Sequence, residues 1–235
     1  PYPDLHVGGV LISKTAAPGG SPGGKPYSRS YWHSAVMLVV EHVEYGCAKA
    51  VLLNHVPAPL SQRPALRALC EYGAPLRHGG PCDPDLHFVL HDRKKVAGAR
   101  QLCQGVYIGG DIPAITSALA DSASTSDDED SDDDDGIDEE TADDDSQAAK
   151  SRWCAAFQGC AAWSEGQLEG ELKRGTSWGL LPASSLGGDT VTRLVFHTEP
   201  SSCWAAVCAL LLREGGGDRT TVSTNANCED AAGSA

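Results

Sequence analysis

The sequence predicts an α+β fold for this chain of 235 residues. Hydrophobic residues make up 41% of the chain, which is enough to bury a core. Short apolar runs of strand length alternate with amphipathic helical patterns, and two of these runs are joined by only a short polar turn. Short connections favour antiparallel strand pairs, whereas a doubly wound parallel sheet needs long crossovers.

Four short apolar runs are predicted to be strands. Residues 35–40 (AVMLVV) and 48–53 (AKAVLL) flank the turn at 41–46, so we expect them to form an antiparallel hairpin. Residues 87–91 (HFVLH) follow a turn-forming Gly-Gly-Pro sequence, and residues 105–108 (GVYI) supply the fourth strand.

Three helices are predicted from their end signals and apolar spacing. The first covers residues 112–120, with a proline in its first turn. The second covers residues 165–174 and follows Ser164, which with Gln167 has the spacing of a capping box. The third opens at residues 200–202 and continues through an apolar stretch.

The negative charge of the chain is concentrated in one segment. The formal net charge is −14, yet residues 127–145 contain 14 acidic residues and no Lys or Arg, so the rest of the chain is neutral. An acidic, weakly hydrophobic stretch cannot bury enough apolar surface to become ordered, so we expect a disordered insertion at about residues 122–149. We expect residues 1–6 to be an N-terminal extension, residues 7–212 the domain, and residues 213–235 a disordered tail.

The same composition argues against two classes of protein. Basic residues are scattered, and the only run is Arg93-Lys94-Lys95, so we expect no direct binding to nucleic acid. No stretch contains the roughly 20 apolar residues that a membrane-spanning helix needs.

Five segments, in order, resemble the AlgH/YqgE family of bacterial and plastid proteins. They are GGVLIS at 8–13, SAVMLVVEHVEYGCAKAVLLNHV at 34–56, HGGPCDPDLHFVLHD at 78–92, GCAAWSEGQLEGELKRGTSWGLLPAS at 159–184 and LVFHTEPSSCW at 194–204. The resemblance implies a single α+β domain with a bent, barrel-like, mixed or antiparallel sheet and flanking helices. The chain departs from the family in a Gly/Pro-rich loop at 18–26, in Cys160 where the family has Tyr, and in the acidic insertion. The family carries a regulator label without an established activity, so the resemblance implies a fold and not a mechanism.

Four polar residues lie at predicted strand ends and form the first candidate site: Glu41, His42, Asn54 and His91. An acid beside a histidine could act as a general base, with the asparagine as a donor. The competing interpretation, which we favour, is that these groups hydrogen-bond to turn backbone and stabilise the hairpin. No nucleophile motif or cofactor-binding loop accompanies them, and no cofactor or metal is expected. His87 and His91 are too far apart for one ion if they lie on a strand, where four residues span roughly 13 Å.

The GQLE segment provides the second candidate site. Trp163, Gln167, Glu169 and Glu171 place a polar helix face beside an aromatic ring, as occurs in some partner-binding surfaces. The alternative is that Trp163 belongs to the core and Gln167 only caps the helix.

The nine cysteines form no CxxC pair, and most lie among apolar residues. This usage favours buried thiols in a reducing compartment over a secreted disulfide framework.

The sequence therefore predicts a non-enzymatic protein-interaction or regulatory module, with an enzyme acting on a small molecule at the first candidate site as the alternative. We expect protein partners. The acidic insertion either docks a basic surface of such a partner or is only a solubilising spacer, and we favour the spacer. Ser124, Ser126 and Ser131 each have an acid three residues on, as in acid-directed kinase sites. The resemblance to plant and algal members and the missing initiator Met suggest the chloroplast stroma, with the cytoplasm as the alternative.

Overall fold

The computed structural model describes residues 2–14, 32–55, 64–124 and 153–214. Within these ranges the strands are β1 (Val10–Ser13), β2 (Val36–His42), β3 (Ala48–Leu52), β4 (Leu76–His78), β5 (Cys82–His91), β6 (Ala99–Cys103), β7 (Val106–Gly109), β8 (Cys154–Trp163) and β9 (Trp178–Leu181). The α-helices are α1 (Pro64–Glu71), α2 (Ile112–Ser124), α3 (Gln167–Arg174), α4 (Gly188–Thr192) and α5 (Cys203–Glu214), with a π-helical turn at Arg193–His197 and a 3-10 turn at Pro200–Ser202.

All nine strands belong to one curled sheet in the order β6-β7-β5-β8-β3-β2-β1-β9, with β4 added beside β8. Every pair is antiparallel except β4 with β8, which is parallel. The predicted α+β class with a bent, mostly antiparallel sheet and flanking helices is confirmed.

The sheet is covered on both faces, as the continuous apolar runs require. In β2 the side chains of Val36, Leu38 and Val40 join one buried cluster, and those of Met37 and Val39 join the other. The first cluster is closed by the α4–α5 region and the second by α3, while α1 and α2 pack over a third cluster at the far end of β5 and β8. Among the described residues, no helix combines the length and the hydropathy that a membrane crossing would require.

The predicted elements are present, with different ends. The predicted hairpin is β2–β3, but β2 continues through residues 41 and 42, so the connecting turn is shorter than expected. Helix α3 begins at Gln167 rather than Glu165, because Gly166 adopts a left-handed conformation with φ 64°. Helix α2 continues to Ser124, through the first three residues assigned to the acidic segment. Leu5, assigned to the N-terminal extension, is fully buried in the second cluster.

Elements that the sequence did not predict include the helices α1 and α4 and the strands β4, β6 and β9. The three strands have only three to five residues each, which is too short for an alternating pattern to stand out. Their positions depend on pairing with distant segments of the chain.

The Gly-Gly-Pro turn passes against the backbone of β8 at a point where side chains do not fit. The Gly79 N–H donates to Gln158 O at 2.7 Å, and the Gly79 carbonyl accepts from Leu52 N at 2.9 Å. A Cβ on Gly80 would overlap the main chain of Cys160, and one on Gly159 would lie 2.5 Å from Gly80 O. Gly159 also has φ 72°, so glycine is required there for both space and conformation.

We predict that Gly159→Ala lowers the free energy of unfolding by at least about 2 kcal/mol, because the methyl group adds a backbone clash to a strained φ. The matched control is Gly170→Ala in α3, where the nearest atom to the new Cβ is Arg174 Nη1 at 3.4 Å. That change should leave stability unchanged or raise it by up to about 1 kcal/mol, since alanine is the better helix former. Urea unfolding of the two variants measures both effects, and equal stabilities would contradict the prediction.

Candidate functional site

A β-bulge in β2 determines where His42 points. The register between β2 and β3 shifts between Val39 and Glu41, so Val40 is the extra residue and His42 pairs with Ala48. Ala48 faces the cluster beneath α3, and a residue paired directly with it faces the same side. Without the bulge, strict alternation would turn His42 to the opposite face. The bulged carbonyl of Val40 accepts a hydrogen bond from Arg100 Nη2 at 2.9 Å.

His42 therefore meets α3. Its Nε2 atom lies 2.9 Å from Glu169 Oε1, and the two side chains are 9% and 17% exposed. The second oxygen, Glu169 Oε2, is buried and accepts no hydrogen bond from the described residues. The contact links a residue of the first candidate site to a residue of the second, although the sequence predicted two separate sites.

Glu171 holds α3 against two tryptophans. Its Oε2 atom accepts from Trp178 Nε1 at 2.7 Å and from Trp163 Nε1 at 3.1 Å, while Oε1 accepts from Gln167 Nε2 at 2.9 Å. Both indoles are buried, and their rings meet edge to face with centroids 6.0 Å apart. One carboxylate thus satisfies two buried donors from different strands, β8 and β9.

The four predicted interface residues lie close together in the structure, but most of their polar atoms already form hydrogen bonds within the protein. Trp163 is buried, Glu169 and Glu171 are partly buried, and Gln167 is exposed. Gln167 Oε1 also accepts from the Ser164 N–H at 3.1 Å and the Ser164 hydroxyl at 3.0 Å. This is half of the predicted capping box, because the Ser164 side chain bonds to the glutamine and not to a helix N–H.

The other three residues of the first candidate site use their polar atoms on separate partners. Glu41 forms an ion pair with Lys49 at 2.9 Å, and this hydrogen bond raises the pKa of Lys49. Asn54 Nδ2 donates to Ser34 O at 2.6 Å, and its Oδ1 accepts from Val36 N at 3.0 Å. These contacts match the interpretation that the polar groups support the hairpin.

His91 is a fully buried structural residue of β5. Its Nδ1 accepts from the Arg93 N–H at 3.2 Å, so Nε2 carries the proton and donates to Gly109 O at 3.0 Å. The ring stacks on Tyr107, with centroids 6.0 Å apart. Burial lowers the pKa of His91 below its ordinary value, and the hydrogen bond to Gly109 opposes this only in part.

The turn between β2 and β3 exposes apolar side chains that the sequence analysis did not select. Val43 and Tyr45 are 61% and 57% exposed, and Tyr45 has a positive φ of 57°. The turn is fixed to the start of α3, because Gly166 N donates to Gly46 O at 3.3 Å. The sequence did contain a signal for this exposed surface, because valine and tyrosine are unexpected in a turn that is otherwise polar.

Two cavities in the described part of the chain lie away from both candidate sites. One, of about 260 Å³, is lined by residues of α4, the π-helical turn and α5, and another, of about 200 Å³, lies beside the β6–β7 turn. Neither is lined by a histidine or a carboxylate. Across residues 2–14, 32–55, 64–124 and 153–214, no three His, Cys, Asp or Glu side chains are grouped to hold a metal ion.

The phosphorylation candidates fall mostly outside the described residues. Ser124 is the last residue of α2, whereas Ser126 and Ser131 lie in the segment that the structure does not describe. The acidic run at 127–145 lies there as well.

Comparison with known proteins extends the resemblance. Residues 26–214 match the family model described as DUF179, AlgH-like. The chain is 30% identical over 151 residues to UPF0301 protein CT0663 of Chlorobaculum tepidum, covering 64% of this chain and 66% of that protein. It is 32% identical over 83 residues to UPF0301 protein BF2109 of Bacteroides fragilis, covering 34% of this chain and 41% of that protein. The matches thus span less than two thirds of each relative.

Two solved structures share the fold. The solution structure of the AlgH protein from Pseudomonas aeruginosa has a TM-score of 0.52 and 18% identity, covering 91% of this chain and 94% of that one. The crystal structure of protein DIP2367 from Corynebacterium diphtheriae has a TM-score of 0.52 and 15% identity, covering 86% and 85%. At these identities the likeness concerns the fold alone.

We predict that Glu171→Ala lowers the free energy of unfolding by about 2–6 kcal/mol, because two buried indole N–H groups lose their acceptor and each such loss costs about 1–3 kcal/mol. Glu165→Ala, at an exposed position just before α3, is the control and should change stability by less than about 0.5 kcal/mol. Chemical unfolding followed by tryptophan fluorescence measures both. If the two variants unfolded at the same denaturant concentration, Glu171 would not be holding the helix.

We also predict a pH-dependent contribution from His91. The folded pKa is lowered, so the unfolded chain takes up a proton as the pH falls through about 6.5 while the folded chain does not. The stability contributed by neutral His91 is therefore complete above this pH and declines below it. The difference in unfolding free energy between the wild type and His91→Gln, measured between pH 7.5 and 5.5, should shrink as the pH falls. A difference that is constant with pH would contradict the assignment.

Proposed function

The chain belongs to the AlgH-like family, whose fold it shares, and we propose that it acts as a protein-interaction module and not as an enzyme. The observation that carries this proposal is the use of the polar residues in the candidate site. Glu41, Asn54 and His91 each use their side-chain polar atoms on structural partners. A catalytic base needs a polar atom that can reach a substrate, and both polar atoms of Asn54 and of the buried His91 are already bonded to backbone groups.

The exposed surface supports binding through a rigid element. We define the hairpin–helix surface by Val43, Tyr45, Gln167 and Glu169. The Gly166–Gly46 hydrogen bond and the His42–Glu169 pair join its two halves, so the surface is presented without a large loss of conformational freedom on binding. Exposed tyrosine on a fixed turn is a typical energetic centre of a protein interface.

The acidic run at 127–145 suggests the chemistry of a second contact. Its 14 carboxylates and absence of Lys and Arg would attract a basic protein surface and repel nucleic-acid phosphates. Phosphorylation at Ser124, Ser126 or Ser131 would add about −1.5 to −2 charges per site and strengthen such a contact. The simpler alternative is that this run is a solubilising spacer.

One observation keeps an enzyme as the alternative. Glu169 Oε2 is buried beside His42 and accepts no hydrogen bond from the described residues. A carboxylate and an imidazole in contact could act together on a small molecule that approached this oxygen. Neither of the two cavities described above lies at this position, and this favours the binding module.

The proposed location remains the chloroplast stroma, with the cytoplasm as the alternative. The support is the resemblance to plant and algal members. The two relatives named above are bacterial. Imaging of a fluorescent fusion of the full-length gene product decides between the two compartments.

We predict that the double variant Val43→Ser, Tyr45→Ser loses partners without losing stability, because both side chains are exposed and surface changes usually shift stability by less than about 0.5 kcal/mol. Tyr72→Ser removes an exposed tyrosine from another element and is the control. Partners recovered from the native source are quantified by mass spectrometry for the wild type and both variants. A subset should fall at least tenfold with the double variant and remain with the control.

Two further variants separate the competing interpretations. Replacing residues 127–145 with a Gly/Ser linker should remove only salt-sensitive partners if the acidic run docks a basic surface, and none if it is a spacer. If the double variant kept every partner while a stably folded His42→Gln protein lost cellular function, the enzyme alternative would replace the binding module.

A further inference from the structure

Two cysteines from distant parts of the chain lie directly opposite each other in the sheet. Cys82, the first residue of β5, pairs with Cys160 of β8 in antiparallel register. Residues that face each other in this way project to the same side of the sheet, and both cysteines contact the same apolar cluster. Their alignment is set by the backbone and not by chance contact of mobile side chains.

The backbone geometry is suitable for a covalent link. Directly opposed residues have Cβ atoms about 4.5–5.5 Å apart, and a disulfide needs about 3.5–4.5 Å. The adjustment of about 1 Å is available at Cys82, because its pairing with Cys160 is followed by a register shift and regular pairing resumes only at His87. Gly80 packs against the main chain of Cys160 and keeps the two strands together.

The two thiols differ in access. Cys82 is partly exposed, whereas Cys160 is fully buried. Both are free thiols in the structure. A small oxidant can therefore approach Cys82 more readily than Cys160, which lies opposite Cys82 in the sheet and is buried.

We propose that Cys82 and Cys160 are a reversible redox pair, which closes to a disulfide when the folded protein meets a low-molecular-weight disulfide such as oxidised glutathione. In the first step the Cys82 thiolate attacks one sulfur of the oxidant, which releases one glutathione thiol and leaves a mixed disulfide. In the second step the Cys160 thiolate attacks Cys82 Sγ and releases the second glutathione thiol. Two cysteine thiols lose two electrons and two protons, and one glutathione disulfide becomes two thiols.

The surroundings of Cys160 make the second step, closure of the disulfide, the slower one. Burial, with the nearby Cys82 as a smaller cause, raises the pKa of Cys160 to about 11, and the Lys49 ammonium acts in the opposite direction. Few Cys160 side chains are thiolates at neutral pH, so closure should follow capture of the oxidant slowly and speed up as the pH rises. The pair would therefore respond to sustained oxidation and not to a brief pulse.

Closure would tie down an irregular stretch of β5. Residues 83–86 lie between the Cys82 and His87 pairings, and Asp83 has a positive φ of 55°. Asp83, Pro84 and Asp85 are exposed. A disulfide between Cys82 and Cys160 would anchor the start of this exposed acidic segment, residues 83–86, to β8.

Oxidation of the folded chain tests the proposal directly. Native protein is incubated with oxidised glutathione at pH 8, free thiols are alkylated, and the linked peptides are identified by mass spectrometry. Trypsin leaves Cys154 and Cys160 on one peptide, so chymotryptic cleavage after Phe157 is needed to separate them. We expect the Cys82–Cys160 link to exceed every other intramolecular link at least tenfold, and to be reversed by dithiothreitol.

Three variants make the result specific. Cys82→Ser and Cys160→Ala should each abolish the link, whereas Cys47→Ser, which removes an exposed cysteine, should leave its yield unchanged. In Cys82→Ser the buried Cys160 has lost its accessible neighbour. The yield of mixed disulfide with glutathione at Cys160 in this variant should therefore be at least tenfold lower than the yield at Cys82 in Cys160→Ala. The proposal would be overturned if wild-type protein that remained folded gave no Cys82–Cys160 peptide. A dominant link between Cys70 and Cys154, which share the third apolar cluster, would overturn it as well.

Discussion

The close passage of Gly79 and Gly80 over β8 is the constraint on which the rest of the sheet depends. One edge of β8 pairs first with β4, at residues 156–158, and then with β3, at residues 161–163. Gly79 fills the gap between them by donating to Gln158 O and accepting from Leu52 N. The other edge of β8 pairs with β5. Because Gly80 and Gly159 carry no side chains, the two backbones can approach closely enough for one strand to have three partners.

The sheet needs helices on both sides, because both of its faces carry apolar side chains. A curled sheet with apolar side chains on both faces must be covered on both sides. On one face α3 provides the cover, with Leu168 and Leu172 buried below it and Glu171 bonded to Trp163 and Trp178. The bulge at Val40 turns His42 to this same face, where it meets Glu169. Of the four polar residues that look like a candidate catalytic set in the sequence, one, His42, is thus part of the attachment of α3, and the other three bond to strands and turns of the sheet.

The sequence was sufficient for features that depend on local chemistry. The apolar runs of β2 and β3, the Gly-Gly-Pro turn and the contact between Ser164 and Gln167 could all be predicted, because each involves neighbouring residues. The bulge at Val40 could not, since a register shift exists only relative to a partner strand. The same holds for the His42–Glu169 contact, which joins residues 127 positions apart. The short strands β4 and β9 likewise form because distant segments supply their hydrogen bonds.

The opposed cysteines follow from the same geometry. Cys82 comes directly after the Gly-Gly-Pro turn, and Cys160 follows Gly159, so the close passage that gives β8 its three partners also places the two thiols on one face. In the sequence they are simply two of nine cysteines without a CxxC pair, and their apolar neighbours suggested inert buried thiols. Burial alone would make Cys160 unreactive, but a partly exposed thiol directly opposite changes its chemistry, because an oxidant captured at Cys82 is delivered to a sulfur that solvent does not reach. The reactivity of Cys160 therefore depends on its cross-strand partner, Cys82.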